Sequence, residues 1–111
     1  MSLFADLSKE ALDELQTVAT FQPLKKGSLL IRVGDVADSL YLVLRGRFSV
    51  ERAGDIIADI SVGEPVGELA FFTGGTRTAN VRAARDSEVL CLSRDSYDAI
   101  CQKIPLISQS I

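Results

Sequence analysis

The chain has 111 residues, 47% hydrophobic and 24% charged, the length and balance of one globular domain with a single core and not of a disordered chain. Its net charge of −3, from 12 Lys and Arg against 15 Asp and Glu, has the wrong sign for a domain that grips nucleic acid by neutralising phosphates. No apolar run approaches the roughly 20 residues of a membrane-spanning helix, no secretory signal is visible, and the absence of histidine removes the commonest general base and metal ligand.

The opening Met1-Ser2-Leu3 reads as an expression scar, and the chain as a module of a longer protein. Ser8 has the character of an N-cap, with Glu10 in the first turn where negative charge suits the helix dipole. Ala11, Leu12, Leu15, Val18 and Ala19 then repeat at the spacing of a one-sided helix, which is predicted over 8–19. From Phe21 the texture changes. Short runs rich in Leu, Ile, Val, Tyr and Phe predict strands over 19–22, 28–33, 39–44, 47–52 and 55–60, and glycines fall at the joints between them. The run over 39–44 is nearly all apolar and should be central. Phe48 and Val50 alternate with Ser49 and Glu51, which gives the next strand one wet face. Arg45-Gly46-Arg47 is a tight turn with solvated arginines. Further on, 79–84 and 88–92 read as a hairpin around Arg85-Asp86-Ser87, with Val81 inward and Arg82 toward water. Ser93 caps a last helix over 94–104, with Tyr97, Ile100, Cys101 and Ile104 on one face and Pro105 ending it. Short strands in series, without helices between them, indicate an antiparallel sandwich or roll. Cys91 and Cys101 lie among apolar neighbours and read as buried free thiols of a reducing cytoplasm, with a disulfide as the alternative.

One stretch differs from the rest. Between Val66 and Val81 an apolar segment, Leu69 to Phe72, is opened by Gly67-Glu68 and closed by Gly74-Gly75, and Arg77 follows nine positions after Glu68. A helix of one or two turns hardly recovers its nucleation cost, so its use is to point backbone N–H groups, a natural place for an anion. Gly67 permits close approach of a ligand. Arg77 offers a planar fork of donors for a phosphate, and Thr78 adds a hydroxyl. Glu68 accepts only, so it calls for hydroxyl or amine donors. An anion with a hydroxyl nearby describes a sugar phosphate, and a nucleotide is the obvious candidate. Taken alone, Glu68 reads as a surface acid and Arg77 as a solvated arginine; their spacing within an all-β pattern joins them.

Gly67-Glu68-Leu69-Ala70 followed by Arg77-Thr78-Ala79-Asn80-Val81 resembles the phosphate-binding cassette of the cyclic nucleotide-binding domain family. Val66, Thr76 and Asn80 replace the Phe, Pro and Thr common at those places. The resemblance covers the whole chain in order. It implies a mainly β (α+β) fold: an antiparallel β-roll, a jelly-roll-like double-stranded β-helix over 19–92. Short N- and C-terminal helices would flank it, with a short helix in the cassette over 66–81. It also implies Glu68 on the ribose 2′-hydroxyl and Arg77 on the cyclic phosphate, with Gly67, Leu69, Ala70, Thr78 and Ala79 completing the pocket. Thr78 after the arginine suits the amino group of a syn guanine, yet channels answering either nucleotide carry Arg-Thr-Ala here; cAMP is slightly favoured and cGMP stays open. In the family the N-terminal helix relays the ligand signal, and a further helix following Pro105, of which this chain would hold at most the beginning, folds over the base.

The expected function is therefore a regulatory, non-enzymatic cyclic-nucleotide sensor module, cytoplasmic, with no cofactor beyond the bound nucleotide and no metal. Its partners would be the nucleotide and effector domains of the same longer chain, with a homodimer allowed and neither nucleic acid nor membrane contacted. The alternative is a ligand-free roll used for interaction or oligomerisation. The host could be a transcription factor, channel, kinase, cyclase or lipase-like enzyme.

Overall fold

Short apolar runs with glycine joints fold here as strands that cross repeatedly between two sheets. The computed structural model describes residues 9, 13 and 17–103. Its strands are β1 (Thr20–Leu24), β2 (Leu29–Ile31), β3 (Ser39–Arg45), β4 (Phe48–Arg52), β5 (Asp55–Ile60), β6 (Pro65–Val66), β7 (Asn80–Ala83) and β8 (Ser87–Ser93), with α1 (Glu68–Thr73) and α2 (Arg94–Lys103) as helices. Lys9, Asp13, Thr17 and Val18 also have helical backbone. The rest of the helix expected over 8–19, Ile104, Pro105 and the tail 106–111 lie outside the described residues, as do the side chains of Ile100 and Cys101.

The sheets have the orders β1-β8-β3-β6 and β2-β7-β4-β5, and their pairings are antiparallel. Every connection except β4–β5 steps from one sheet to the other, which is the jelly roll. The mainly β, antiparallel roll expected from the sequence is the fold observed, and β3 is central in its sheet. Between the sheets lie Leu24, Ile31, Val43, Phe48, Val66, Val81, Ala83 and Val89. Val43, Phe48, Val66 and Val89 are at most 1% exposed, and burying each such side chain is worth about 1.5–3 kcal/mol. Among the described residues no helix is long and apolar enough to cross a membrane, and Cys91 is a half-buried free thiol.

The hairpin expected over 79–92 does not form. β7 pairs with β2 and β4, whereas β8 pairs with β1 and β3 in the opposite sheet. The physical reason is that Val81 and Ala83 face the core from one side while Val89 and Leu92 are buried in the other sheet, so alternation alone cannot tell a reversal from a crossing. The crossing is tied by Ser87, 3% exposed. Its Oγ donates to Arg85 O at 2.7 Å and accepts from Arg47 N–H at 3.2 Å, which joins this crossing to the β3–β4 one. Gly46 completes that joint: at φ 92° a Cβ there would sit 2.1 Å from Ser87 Oγ.

Other expectations shift by a residue or more. The strand expected over 19–22 runs over Thr20–Leu24, and that over 28–33 is confined to Leu29–Ile31, because Val33 N–H leaves the ladder to donate to Asn80 Oδ1 at 2.8 Å. Ser49, expected on a wet face, is only 8% exposed; it sits in register between Asp59 and Arg82. Arg82 itself turns outward as expected and pairs with Glu51 at 3.1 Å. The two-residue β6, pairing with Tyr41 and Leu42, was not legible as a strand. Ser93 does cap α2, accepting from Ser96 N–H at 3.2 Å.

The β4–β5 hairpin turns through Ala53 at φ 52° and Gly54 at φ 85°, both left-handed, the geometry that matches strand twist. Ala53 carries a Cβ penalty there that Asn largely escapes. Ala53→Asn should raise the unfolding free energy by roughly 0.5–1 kcal/mol, read as a higher urea midpoint at unchanged slope; a lower midpoint would show that the turn tolerates Ala without strain.

Candidate functional site

The segment between β6 and β7 is placed by backbone bonds to the β2–β3 connection. Arg77 N–H donates to Asp35 O at 2.8 Å and Gly34 N–H to Arg77 O at 2.8 Å, while Ala37 N–H reaches Gly75 O at 3.2 Å. These bonds turn the Arg77 side chain inward. It is 6% exposed, among the most buried polar residues described. Nη1 donates to Gly67 O at 2.8 Å and Nη2 to Ser39 O at 2.5 Å. Two of its five N–H donors are thus used on carbonyls. Among the described residues no carboxylate lies within ion-pair distance, since the one ion pair is Arg82–Glu51. Burial pushes the Arg77 guanidinium below its ordinary value, with Tyr41, Asp38 and Asp35 acting in the opposite direction; arginine nevertheless stays protonated.

Gly67 makes this seat available. It opens α1 at φ 77° and ψ 20°, left-handed, with no side-chain cap. A Cβ at this position would lie 2.2 Å from Arg77 Nη1, 3.0 Å from its Cζ and 3.1 Å from Ile31 Cδ1. The first helical bond of α1 is Phe71 N–H to Gly67 O at 3.2 Å, so the amides of Glu68, Leu69 and Ala70 precede it and point out of the helix start. Gly74 closes the helix, its N–H on Ala70 O.

These groups surround one cavity of about 440 Å³. All seven residues singled out from the sequence, Gly67, Glu68, Leu69, Ala70, Arg77, Thr78 and Ala79, line it. Glu68 is half-buried at its edge. The wall is apolar and comes from five strands: Ile31, Val50, Ile60, Val66 and Val81. Val66 and Val81 bound the stretch set apart in the sequence, but none of these five was assigned to the pocket. Their only sequence signal is inward alternation, which marks core and cavity wall alike. Arg52 was missed too. From the end of β4 its Nε and Nη2 approach Thr78 O and Oγ, each at 3.4 Å. Among the described residues no group of three or more His, Cys, Asp or Glu is placed to hold a metal ion. The arrangement offers a desolvated cation, outward amides, an unpaired carboxylate and an apolar wall: a receptacle for an anion carrying hydroxyls and a flat apolar body.

The cassette helix is also tied to the C-terminal helix. Arg94 stands over the Phe71 ring at 4.2 Å and its Nη2 donates to the Phe71 and Ala37 carbonyls. Phe71, Phe72 and Tyr97 form an edge-to-face trio with centroids 5.3–5.4 Å apart.

A family model described as the cyclic nucleotide-binding domain matches residues 21–104. The chain is 30% identical over 110 residues to an uncharacterised NTE family protein of Mycobacterium tuberculosis, a match covering 98% of this chain and 19% of that protein. In solved structures it resembles the N-terminal domain of a transcriptional regulator from Streptomyces coelicolor A3(2), at a TM-score of 0.87 and 28% identity over 96% of this chain and 80% of that one. It also resembles the regulatory domain of Toxoplasma gondii PKA in co-crystal with cAMP, at a TM-score of 0.78 and 26% identity over 88% of this chain and 39% of that one.

The geometry around Gly67 generates a direct expectation. Gly67→Ala should cost roughly 1–2 kcal/mol from its left-handed backbone and push the Arg77 guanidinium out of its seat. Urea unfolding would report the first and the Arg77 Nε–H NMR resonance the second; an unmoved resonance would show that the seat does not depend on a bare α-carbon.

Proposed function

The chain belongs to the cyclic nucleotide-binding domain family, and we propose that its pocket captures a cyclic nucleotide, cAMP slightly preferred, as the sensor module of a longer cytoplasmic effector. The observation that carries this reading is Arg77, a buried guanidinium lining an open cavity with carbonyls as its side-chain partners and donors to spare. A cation already stripped of water binds an anion without paying that desolvation again, and the low surrounding polarity strengthens the attraction. The cyclic phosphate would sit on Arg77 and the amides opening α1, the ribose hydroxyl on Glu68, and the base against Val50, Ile60 and Val81. Neutral carbonyls hold Arg77 in orientation and leave its charge uncancelled, which a salt bridge would not.

Support for cAMP is the Toxoplasma regulatory domain, whose structure holds that nucleotide. Thr78 keeps cGMP in contention: it lines the cavity, and as an acceptor from Arg52 its hydroxyl retains its own proton for a second partner. The effector would be supplied by the host protein, since the chain spans 19% of the mycobacterial relative. The host's activity would act through that larger context, the domain itself contributing binding and no catalysis.

Thermal unfolding with cAMP, cGMP and AMP tests the proposal, because a ligand of the folded state raises the midpoint by mass action. A rise with one or both cyclic nucleotides and none with AMP is expected; equal midpoints with all three would sink it. By titration calorimetry, Arg77→Ala should weaken binding by roughly 1.5–3 kcal/mol, the value of a charge-assisted pair. Glu68→Gln should cost less, about 1 kcal/mol, since the amide oxygen still accepts. Equal affinity in wild type and Arg77→Ala would refute the placement of the phosphate.

A further inference from the structure

β2 stops at Ile31, but its register carries on. Ile31 stands opposite Val81. Five residues further along, Val36 forms an antiparallel bridge to Thr76, which lies five residues before Val81, so the pairing resumes without a slip. Ala37 N–H to Gly75 O at 3.2 Å continues it. Inside the break Gly34, left-handed at φ 91°, and Asp35 share one partner. Gly34 N–H donates to Arg77 O and Arg77 N–H to Asp35 O, each at 2.8 Å, two residues against one as in a bulge.

The remaining rung across the break is a side chain. Val33 N–H donates to Asn80 Oδ1 at 2.8 Å. Asn80 is anchored in β7 opposite Glu51, between Ala79 and Val81, which line the cavity. Its side-chain carbonyl is the same kind of acceptor a strand backbone offers. The bond lies at the surface, where water would satisfy the same N–H, so its value is not the rescue of a buried donor. Its value is positional. The three-residue β2 is itself irregular between Leu29 and Ile31, and a short, bulged, glycine-containing ladder specifies its register weakly. A shift of one residue turns every side chain to the opposite face. For Arg77 that means exchanging the Gly67 and Ser39 carbonyls for solvent.

We propose that Asn80 is a positioning residue of the anion seat: by bridging the break in the β2–β7 ladder it locks the register that keeps Arg77 turned inward. Arg77 then lies between two pins, the Val36–Thr76 bridge on one side and the Asn80 side chain on the other. Asn80 is not among the residues lining the cavity, so it acts through the backbone of the β2–β3 connection and not by touching a ligand. A guanidinium held in place before the ligand arrives spares the cost of ordering it on binding. The extension from seat to cyclic-nucleotide affinity rests on the sensor reading above.

The test is NMR on the ligand-free, ¹⁵N-labelled chain. By hydrogen exchange in the wild type, the Val33, Gly34 and Arg77 amides should open together as one unit; Val33 opening while Arg77 stays protected would overturn the proposal. Asn80→Ala should remove the protection at Val33 and move the Arg77 Nε–H resonance toward that of a solvated arginine, with little change in the urea midpoint, as for a surface substitution. By titration calorimetry at physiological ionic strength the same variant should bind cAMP roughly tenfold more weakly. Asn80→Asp keeps an acceptor of the same reach and should restore the protection, the resonance and the affinity. An unmoved Arg77 resonance in Asn80→Ala, or an Asp variant that behaves like the Ala variant, would overturn the proposal. Exchange and resonance are read without nucleotide, so they decide the role of Asn80 separately from whether the wild type binds cAMP.

Discussion

The site depends on one interaction: the Arg77 guanidinium, buried and held by the carbonyls of Gly67 and Ser39. Burying a cation without a counter-charge is among the costlier acts in folding. The carbonyls recover part of that cost and the flanking Asp35 and Asp38 a little more; the rest is borne by the core. That the roll tolerates it follows from its architecture. The seat lies where the β6–β7 connection is bonded along the β2–β3 connection, on a scaffold whose inner side chains are almost wholly buried. A looser framework would let the arginine swing to water.

Several consequences follow from holding it there. Gly67 must be bare, because its α-carbon abuts the guanidinium, and the same residue must be left-handed to start α1. One position therefore sets both the cation and the direction of the outward amides. The apolar wall has a matching role, since Ile31, Val66 and Val81 keep water from competing for Arg77's remaining donors. Removing either the wall or the glycine would alter the same quantity, the readiness of a fixed cation for an anion.

Much of this was legible in the sequence, and what was not shares a cause. The cassette could be read because its residues carry chemistry at fixed spacing: Gly67, Glu68 and Arg77 have few interchangeable alternatives. The roll was legible from strand length and glycine joints, and Ser93 from its capping chemistry. Pairing was not legible. Residues 79–92 have the alternation and turn residues of a hairpin, yet in two facing sheets the inner positions of β7 and β8 look the same as those of a hairpin with one buried face. The observed pairing of β7 with β2 and β4 and of β8 with β1 and β3 separates the cases, and Ser87, buried between two crossings, ties the result. Likewise Val50 and Ile60 look like core until the fold shows the cavity beside them, and Arg52 looks solvated until β4 carries it to Thr78. Sequence reports a residue's chemistry and its local period; which neighbour it meets across a sheet is decided by topology.

A captured nucleotide can act beyond the pocket only if something outside the pocket has different contacts in the bound and free states. Among the described residues one such contact is that between α1 and α2. Arg94 grips the Phe71 carbonyl and its ring at once, and Tyr97 closes the edge-to-face trio with Phe71 and Phe72. Phe71 is fully buried while Leu69 on the same short helix is 77% exposed, so α1 has one face in the core and another toward solvent. A six-residue helix has too little internal stability to hold its position alone against a ligand drawing on its first amides. Any such movement displaces the Phe71 carbonyl that Arg94 holds, and α2 follows or loses a charge-assisted bond. The pocket and the C-terminal helix are therefore linked by contacts that a shift of α1 must either carry along or break, the physical condition for binding to bias a helix position.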